Sequence, residues 1–96
     1  MPAYVVAYVT VTDPDSMGAY ASQVMEVTES FGGRYLFAGR GAESLEGDFP
    51  VDGMAILEFP TREAAKRWYD SPEYAALRGL RQAAGPTAMA LTPDVE

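Results

Sequence analysis

The stretch AYVVAYVTVT occupies residues 3–12 and runs directly into Asp13-Pro14-Asp15-Ser16. The first part is β-branched or aromatic almost throughout, which is typical of a β-strand. The second part indicates a helix start, because Asp13 can cap the helix and Pro14 fits a first turn that does not need its missing N–H. The chain is therefore predicted to begin with a strand followed by a helix.

The first helix is predicted from apolar and small residues that recur at helical spacing. They are Met17, Tyr20, Ala21, Val24, Thr28 and Phe31. The pair Gly32-Gly33 ends this helix, because glycine accepts the left-handed conformation after a C-terminus. Three further strands are predicted at residues 34–41, 53–59 and 87–91, with a short strand near residues 44–46 in the polar connection.

A second helical region lies between the last two predicted strands. Thr61 caps it, and Ser71-Pro72 kinks or restarts it, because proline cannot continue the helical hydrogen bonds. Gly85-Pro86 ends it. The order βαββαβ predicts a ferredoxin-like α+β fold, a four-stranded antiparallel sheet with both helices on one face.

The composition suits one domain spanning residues 1–96. Hydrophobic residues make up 48% of the chain, and no apolar run approaches the roughly 20 residues that span a bilayer. The N-terminus shows no signal-peptide pattern, so we expect a cytoplasmic protein that does not bind membranes. The net charge of −7 and the scattered arginines argue against nucleic acid binding, which needs a basic surface.

Cysteine and histidine are both missing from the sequence. Their absence excludes thiolate nucleophiles, Ser-His-Asp triads, the common zinc sites and a proximal-histidine haem site. We therefore expect no metal and no cofactor. Any catalysis would use carboxylates, tyrosine, arginine, lysine, hydroxyl groups, backbone amides or a borrowed cofactor.

The strands carry more apolar surface than one layer of helices can cover. In the first strand the alternating sets are Val5/Ala7/Val9/Val11 and Tyr4/Val6/Tyr8/Thr10, and in the third they are Ala55/Leu57/Phe59 and Met54/Ile56/Glu58. The set beginning with Val5 suits the helices, yet the opposite sets are too apolar to face water. A second copy of the chain is the simplest way to bury the uncovered face of the sheet, so we expect a homodimer whose two sheets enclose a barrel.

Several short motifs together resemble a known family. They are Tyr20, GRYL at 33–36, LEGD at 45–48, LEFP at 57–60, Ala64-Ala65, Trp68-Tyr69, SPEY at 71–74 and Arg81-Gln82. The chain is similar over residues 4–91 to short bacterial proteins classed as a domain of unknown function within the dimeric α+β-barrel superfamily. Members often carry an arginine where this chain has Ala38. If that arginine binds a ligand anion, this chain must use Arg40 instead or do without.

The superfamily implies a range of functions and not a single one. Similar folds include muconolactone isomerase, cofactor-free monooxygenases, polyketide cyclases, haem enzymes and ligand-sensing domains, and the missing histidine argues against the haem branch. The resemblance therefore implies a homodimer that binds, and in some members transforms, a small unsaturated or aromatic molecule.

Glu58, Tyr8 and Tyr35 are the candidate catalytic residues. Glu58 would point into the barrel, where desolvation would raise its pKa and make it a proton shuttle. It could instead lie at the strand end, in water or paired with an arginine. Tyr4, Tyr8 and Tyr35 would line the same space and donate hydrogen bonds to a developing enolate, or simply pack in the dimer core. In a regular strand Tyr35 and Arg34 point to opposite faces of the sheet, so a bulge in this strand would move the Tyr35 side chain to the other face.

Arg34, Arg40 and Arg81 are candidate binders of a ligand anion, because a guanidinium fork matches a carboxylate or enolate oxygen. Arg81 stands out, since it lies four residues after Leu77 on the apolar side of its helix. The alternative is a surface ion pair, which contributes little stability. Trp68 is a candidate ligand contact or, more simply, an aromatic packed against the sheet.

The sequence thus favours a homodimeric small-molecule protein with its site inside the barrel or between sheet and helices. If it is catalytic, we expect a cofactor-independent isomerase, cyclase or monooxygenase. A binding or sensing module without chemistry, and a structural dimer, remain as alternatives. A closed pocket of about 300 Å³ or more with convergent polar groups would favour an enzyme or a binding module over a structural dimer.

Overall fold

The computed structural model describes residues 1–49 and 52–95. Its elements are β1 Ala3–Val9, α1 Pro14–Ser30, β2 Arg34–Arg40, β3 Gly53–Phe59, α2 Arg62–Asp70, α3 Pro72–Ala84 and β4 Thr87–Leu91. This order confirms the predicted α+β arrangement, with the second helical region divided into α2 and α3 at Ser71. None of the helices described is long and apolar enough to cross a membrane.

The four strands form one sheet in the order β2-β3-β1-β4, and every neighbouring pair is antiparallel. Val5 of β1 lies opposite Leu57 of β3, and Ala3 lies opposite Phe59. A register shift interrupts the pairing of β2 with β3 between Tyr35 and Phe37. This irregularity decides which side chains of β2 face the helices.

The core lies between the helices and one face of the sheet. Val5, Leu57 and Phe59 from that face pack with Trp68 of α2 and Tyr74 of α3, all of them buried. The Trp68 and Tyr74 rings are 4.3 Å apart, and the Trp68 and Phe59 rings are 5.2 Å apart between centroids. These rings hold α2 and α3 at a fixed position over the sheet.

Side-chain caps set the helix boundaries as the sequence predicts. The Asp13 carboxylate accepts hydrogen bonds from the backbone N–H groups of Asp15 and Ser16 at the start of α1. The Ser71 hydroxyl accepts a bond from the Tyr74 N–H at 3.1 Å and donates one to the Trp68 carbonyl oxygen at 2.8 Å. Ser71 therefore closes α2 and opens α3 with one side chain.

The second face of the sheet is apolar and uncovered in the described chain. Its side chains are Tyr4, Val6 and Tyr8 of β1, Phe37 of β2, Met54, Ile56 and Glu58 of β3, and Ala88 and Ala90 of β4. Tyr8 is 37% exposed and Phe37 is 41% exposed. We call this surface the open face. It contains the sets in β1 and β3 that the alternation predicts to lie away from the helices.

The predicted short strand near residues 44–46 is wrong. The described residues after β2 form bends and irregular backbone up to Phe49. Ser44 there donates hydrogen bonds to the nearby carbonyl oxygens of Glu46 and Gly47, so the segment closes on itself and pairs with no strand.

Candidate functional site

A cleft of about 350 Å³ lies between the helix-covered side of the sheet and helices α1 and α3. Its walls are mostly apolar and come from all four strands and from all three helices. They include Ala7, Val9, Met17, Tyr20, Ala21, Val24, Tyr35, Ala38, Ala55, Leu57, Trp68, Arg81 and Met89. Within the described parts of the chain, no aspartate or glutamate lines this cleft.

Arg81 is the buried charge of the cleft. Its side chain follows Leu77 by one helical turn on α3, and the residue is only 7% exposed. The Nη1 atom lies 3.6 Å from the Met89 sulfur, which is a weak acceptor, and the guanidinium carbon lies 6.0 Å from the centre of the Tyr74 ring. Among residues 1–49 and 52–95, no carboxylate pairs with Arg81 and its buried Nε has no hydrogen-bond partner.

Two phenols, those of Tyr20 and Tyr74, lie near this guanidinium, and the phenol of Tyr35 lies near those two. The hydroxyls of Tyr20 and Tyr74 are hydrogen-bonded at 2.9 Å. Burial raises the pKa of both phenols, and the nearby Arg81 charge acts in the opposite direction. Burial also raises the pKa of Tyr35 to about 12, although a hydrogen bond with Thr28 works against it. All three phenols are therefore protonated at neutral pH and suited to donate hydrogen bonds.

Sequence reasoning missed Tyr20, which lines the cleft, and its buried partner Tyr74, because helical spacing assigns both to ordinary core packing. Their hydroxyl contact joins α1 to α3 across 54 positions of the chain. The signal in the sequence was weak: each is a tyrosine on an apolar helix face, where a buried hydroxyl needs a partner.

Glu58 lies outside the cleft, on the open face of the sheet. Its Oε1 accepts a hydrogen bond from Arg34 Nε at 2.8 Å, and Tyr4 lies directly opposite on β1. The bond from Arg34 lowers the pKa of Glu58, burial opposes it, and the Tyr4 hydroxyl adds to the lowering. The expectation of a raised pKa is therefore wrong for this protomer, and pairing with an arginine is the observed arrangement.

Two of the three candidate tyrosines of the strands, Tyr8 and Tyr35, line the cleft, although the register places them on different faces of the sheet. Tyr4 and Tyr8 lie on the open face, whereas Tyr35 lies opposite Leu57 and faces the helices. The register shift after Tyr35 then brings Phe37, and not Leu36, opposite Ile56 of the open face. The sequence indicates that Tyr35 could lie on either face of the sheet, but it does not show which face Tyr35 occupies.

The remaining candidates divide between ion pairing and core packing. Arg40 donates from Nε to Asp52 at 3.0 Å, and this hydrogen bond lowers the pKa of Asp52. Trp68 is 1% exposed within the aromatic core. The cleft thus brings together five predicted site residues, Tyr8, Tyr35, Arg40, Trp68 and Arg81, and leaves out Tyr4, Arg34 and Glu58.

The fold and the cleft define a small ferredoxin-like α+β protein in which the buried Arg81 lies beside the phenols of Tyr20 and Tyr74. Residues 2–95 match the family described as domain of unknown function (DUF1330), and the chain belongs to that family. No curated protein matches the chain.

Solved structures share the fold at low identity. A protein of unknown function from Rhodopseudomonas palustris is 23% identical with a TM-score of 0.76, covering 99% of this chain and 83% of its own. A dimeric ferredoxin-like protein of unknown function from Jannaschia is 9% identical with a TM-score of 0.69, covering 98% and 100%. A Nitrosomonas europaea protein described as a candidate antibiotic biosynthesis monooxygenase is 15% identical with a TM-score of 0.63, covering 98% and 90%. At these identities the likeness establishes the fold.

Proposed function

We propose that this protein is a homodimer that binds a small unsaturated or aromatic molecule in the cleft between the sheet and the helices. The observation that carries the proposal is the cleft itself, an apolar space of about 350 Å³ in which Arg81 and the phenols of Tyr20 and Tyr35 converge. Ligand sites are typically apolar concavities of about 300–1,000 Å³ with a few placed polar groups.

The size of the cleft limits the ligand to a small molecule. A cavity of about 150 Å³ already holds a benzene ring, so the volume here suits one or two fused rings with a polar substituent. The aromatic walls formed by Tyr20, Tyr35 and Trp68 favour a flat or unsaturated body over a sugar or a peptide.

The exposed apolar side chains of the open face support the homodimer part of the proposal. That face exposes Tyr8 and Phe37 beside Val6 and Ile56, and exposed apolar patches of this kind mark interaction surfaces. The Jannaschia neighbour is itself a dimeric ferredoxin-like protein. Two open faces placed together would enclose the row formed by Tyr4, Glu58 and Arg34.

That row favours a second candidate function, cofactor-independent acid/base chemistry of the isomerase, cyclase or monooxygenase type. Glu58 is held as a carboxylate between a phenol and a guanidinium, which lowers its pKa and weakens it as a base. Accepting a proton from an acidic carbon of a substrate would therefore need the desolvation inside a barrel to raise that pKa. The description of the Nitrosomonas protein points the same way. Binding without turnover is the stronger proposal, because the described walls of the cleft offer no carboxylate base.

Blocking the cleft tests the proposed function. Ala21 is an exposed residue of α1 that lines the cleft, and Ala75 is an exposed residue of α3 that does not. We expect some members of a panel of small aromatic and unsaturated compounds to bind the wild type and Ala75→Phe equally. The same compounds should bind Ala21→Phe at least about tenfold more weakly, a loss of about 1.4 kcal/mol.

The readout is the indole N–H signal of Trp68 in a proton–nitrogen correlation spectrum, because Trp68 is the single tryptophan and lies at the cleft. Equal affinity in Ala21→Phe and Ala75→Phe, or no binder in the panel, would contradict the proposal.

A further inference from the structure

Arg81 carries a buried positive charge for which the described chain provides no counter-ion. Charged groups are rarely buried unless they are paired, because leaving water costs several kcal/mol. The other arginines with assigned partners behave as expected: Arg34 pairs with Glu58, Arg40 with Asp52 and Arg67 with Glu63. Arg81 instead faces an apolar cleft with its Nε unpartnered.

We infer that Arg81 binds the carboxylate of the cleft ligand, and that this ligand is a monoanionic aromatic or unsaturated carboxylic acid. The inference rests on the proposed function, since it names the chemical class of the molecule that the cleft takes. It assigns the negative charge to the ligand and the buried positive charge to the protein.

The guanidinium edge explains the choice of a carboxylate. Two neighbouring N–H donors of a guanidinium form a fork that matches the two oxygens of a carboxylate in parallel bonds. The contact between Nη1 and the Met89 sulfur is a weak hydrogen bond that an anion could replace. The Tyr20 phenol, which lines the cleft close to Arg81, is a further donor when it accepts its bond from Tyr74.

The count of charges favours a monoanion over a dianion. One guanidinium neutralises one negative charge, and the described walls of the cleft contribute one other basic residue, Arg40, which is already paired with Asp52. A phosphate dianion would leave a second charge uncompensated in an apolar space. Carboxylate binding therefore leaves the smallest unbalanced charge.

The competing explanation is that Arg81 only supports the fold, through Tyr74 and Met89. The two explanations predict opposite results for Arg81→Met. A ligand-binding arginine without a counter-ion destabilises the free protein, so its replacement should keep or raise the melting temperature while abolishing carboxylate binding. A purely structural arginine would lower the melting temperature when replaced and leave binding unchanged.

The experiment compares carboxylates with their neutral amides. Benzoate and 2-naphthoate are titrated against benzamide and 2-naphthamide, using the Arg81 Nε–H and Trp68 indole N–H signals. We expect each carboxylate to bind the wild type at least about tenfold more tightly than its amide. The preference should persist in Arg67→Met, which removes a surface charge, weaken in Arg81→Lys, which keeps the charge without the fork, and vanish in Arg81→Met.

Equal affinity of acid and amide, or a preference that survives in Arg81→Met, overturns the carboxylate assignment while leaving cleft binding intact. Failure of both pairs to bind, with the Ala21→Phe comparison also negative, overturns the proposed function as well.

Discussion

At the scale of single residues, the clearest electrostatic feature of the open face is the position of Glu58 between Arg34 and Tyr4. The hydrogen bond from Arg34 places the folded pKa of Glu58 below its ordinary range near 4.3. A carboxylate with a lowered folded pKa stabilises the protein above its unfolded pKa, and this contribution is lost as the pH falls through the folded pKa.

Glu58→Gln should therefore flatten the acid side of the stability profile. We expect the free energy of unfolding of the variant to fall less between about pH 5 and pH 3 than that of the wild type, because the unfolded pKa lies near 4.3. Urea denaturation at each pH measures the difference, and Arg34→Gln serves as the partner variant. A steeper fall in Glu58→Gln, or a Glu58 titration above the ordinary range in the wild type, would be inconsistent with the observed pair.

Single residues also show what the sequence could predict about the site. The burial of Arg81 follows from its spacing to Leu77 on one helix, because neighbours four positions apart share a face. The partner of Glu58 could not be predicted in this way, since Arg34 reaches it across two strands whose register depends on the whole sheet.

At the scale of secondary structure, the junction between α2 and α3 depends on Ser71. Its hydroxyl bonds both to the Tyr74 N–H and to the Trp68 carbonyl oxygen, and the residue is buried. Ser71→Ala should lower the free energy of unfolding by about 1–2 kcal/mol, the upper range for a lost cap. The exposed cap Thr61 bonds only to the Ala64 N–H in this way, so Thr61→Ala should cost about 0.5–1 kcal/mol. Chemical denaturation that ranks the two in the opposite order would count against this account of the junction.

The end of α3 depends on a glycine for a steric reason. Gly85 has φ +149°, and a Cβ at this position would overlap the carbonyl oxygen of Thr10. Gly85→Ala should therefore lower the free energy of unfolding by about 2 kcal/mol or more. Gly79 lies inside α3 with open space where an alanine Cβ would lie, so Gly79→Ala should instead stabilise by about 0.5–1 kcal/mol. Thermal denaturation that moved both variants in the same direction would rule out this steric account.

Most helices and strands could be predicted from the sequence, because helix caps, glycine pairs and the alternation of apolar residues in strands all act over a few neighbouring residues. The end of the first strand was not, since the N–H groups of Thr10 and Thr12 bond to the carbonyl oxygens of Pro86 and Ala84 around the end of α3 and not to a strand. The bulge near Tyr35 likewise depends on the pairing with β3, a strand farther along the chain. The strand predicted near residues 44–46 is absent for a local reason, since Ser44 bonds to the carbonyl oxygens of Glu46 and Gly47.

At the scale of the whole molecule, the protomer has two apolar surfaces, the cleft and the open face, and a different occupant is proposed for each. The helices cover the side of the sheet that carries the cleft, a ligand is proposed to occupy the cleft, and a second copy is proposed to cover the open face. The alternation of β1 and β3 was sufficient to predict the second surface, because Val6 and Ile56 lie opposite each other on it. The cleft was beyond prediction, since its volume depends on how α1 and α3 sit over the sheet.

A charge at the centre of the open face should prevent assembly. Ile56→Lys would place an ammonium group between two apposed sheets, where its desolvation has no compensation. Leu45→Lys is the matched control, because Leu45 is 87% exposed in the connection after β2. The direct measurement is the molar mass by sedimentation equilibrium over a range of concentrations. Two chains per particle are expected for the wild type and Leu45→Lys, and one for Ile56→Lys, whereas a wild-type protein that stays a single chain at the highest concentration would contradict the account.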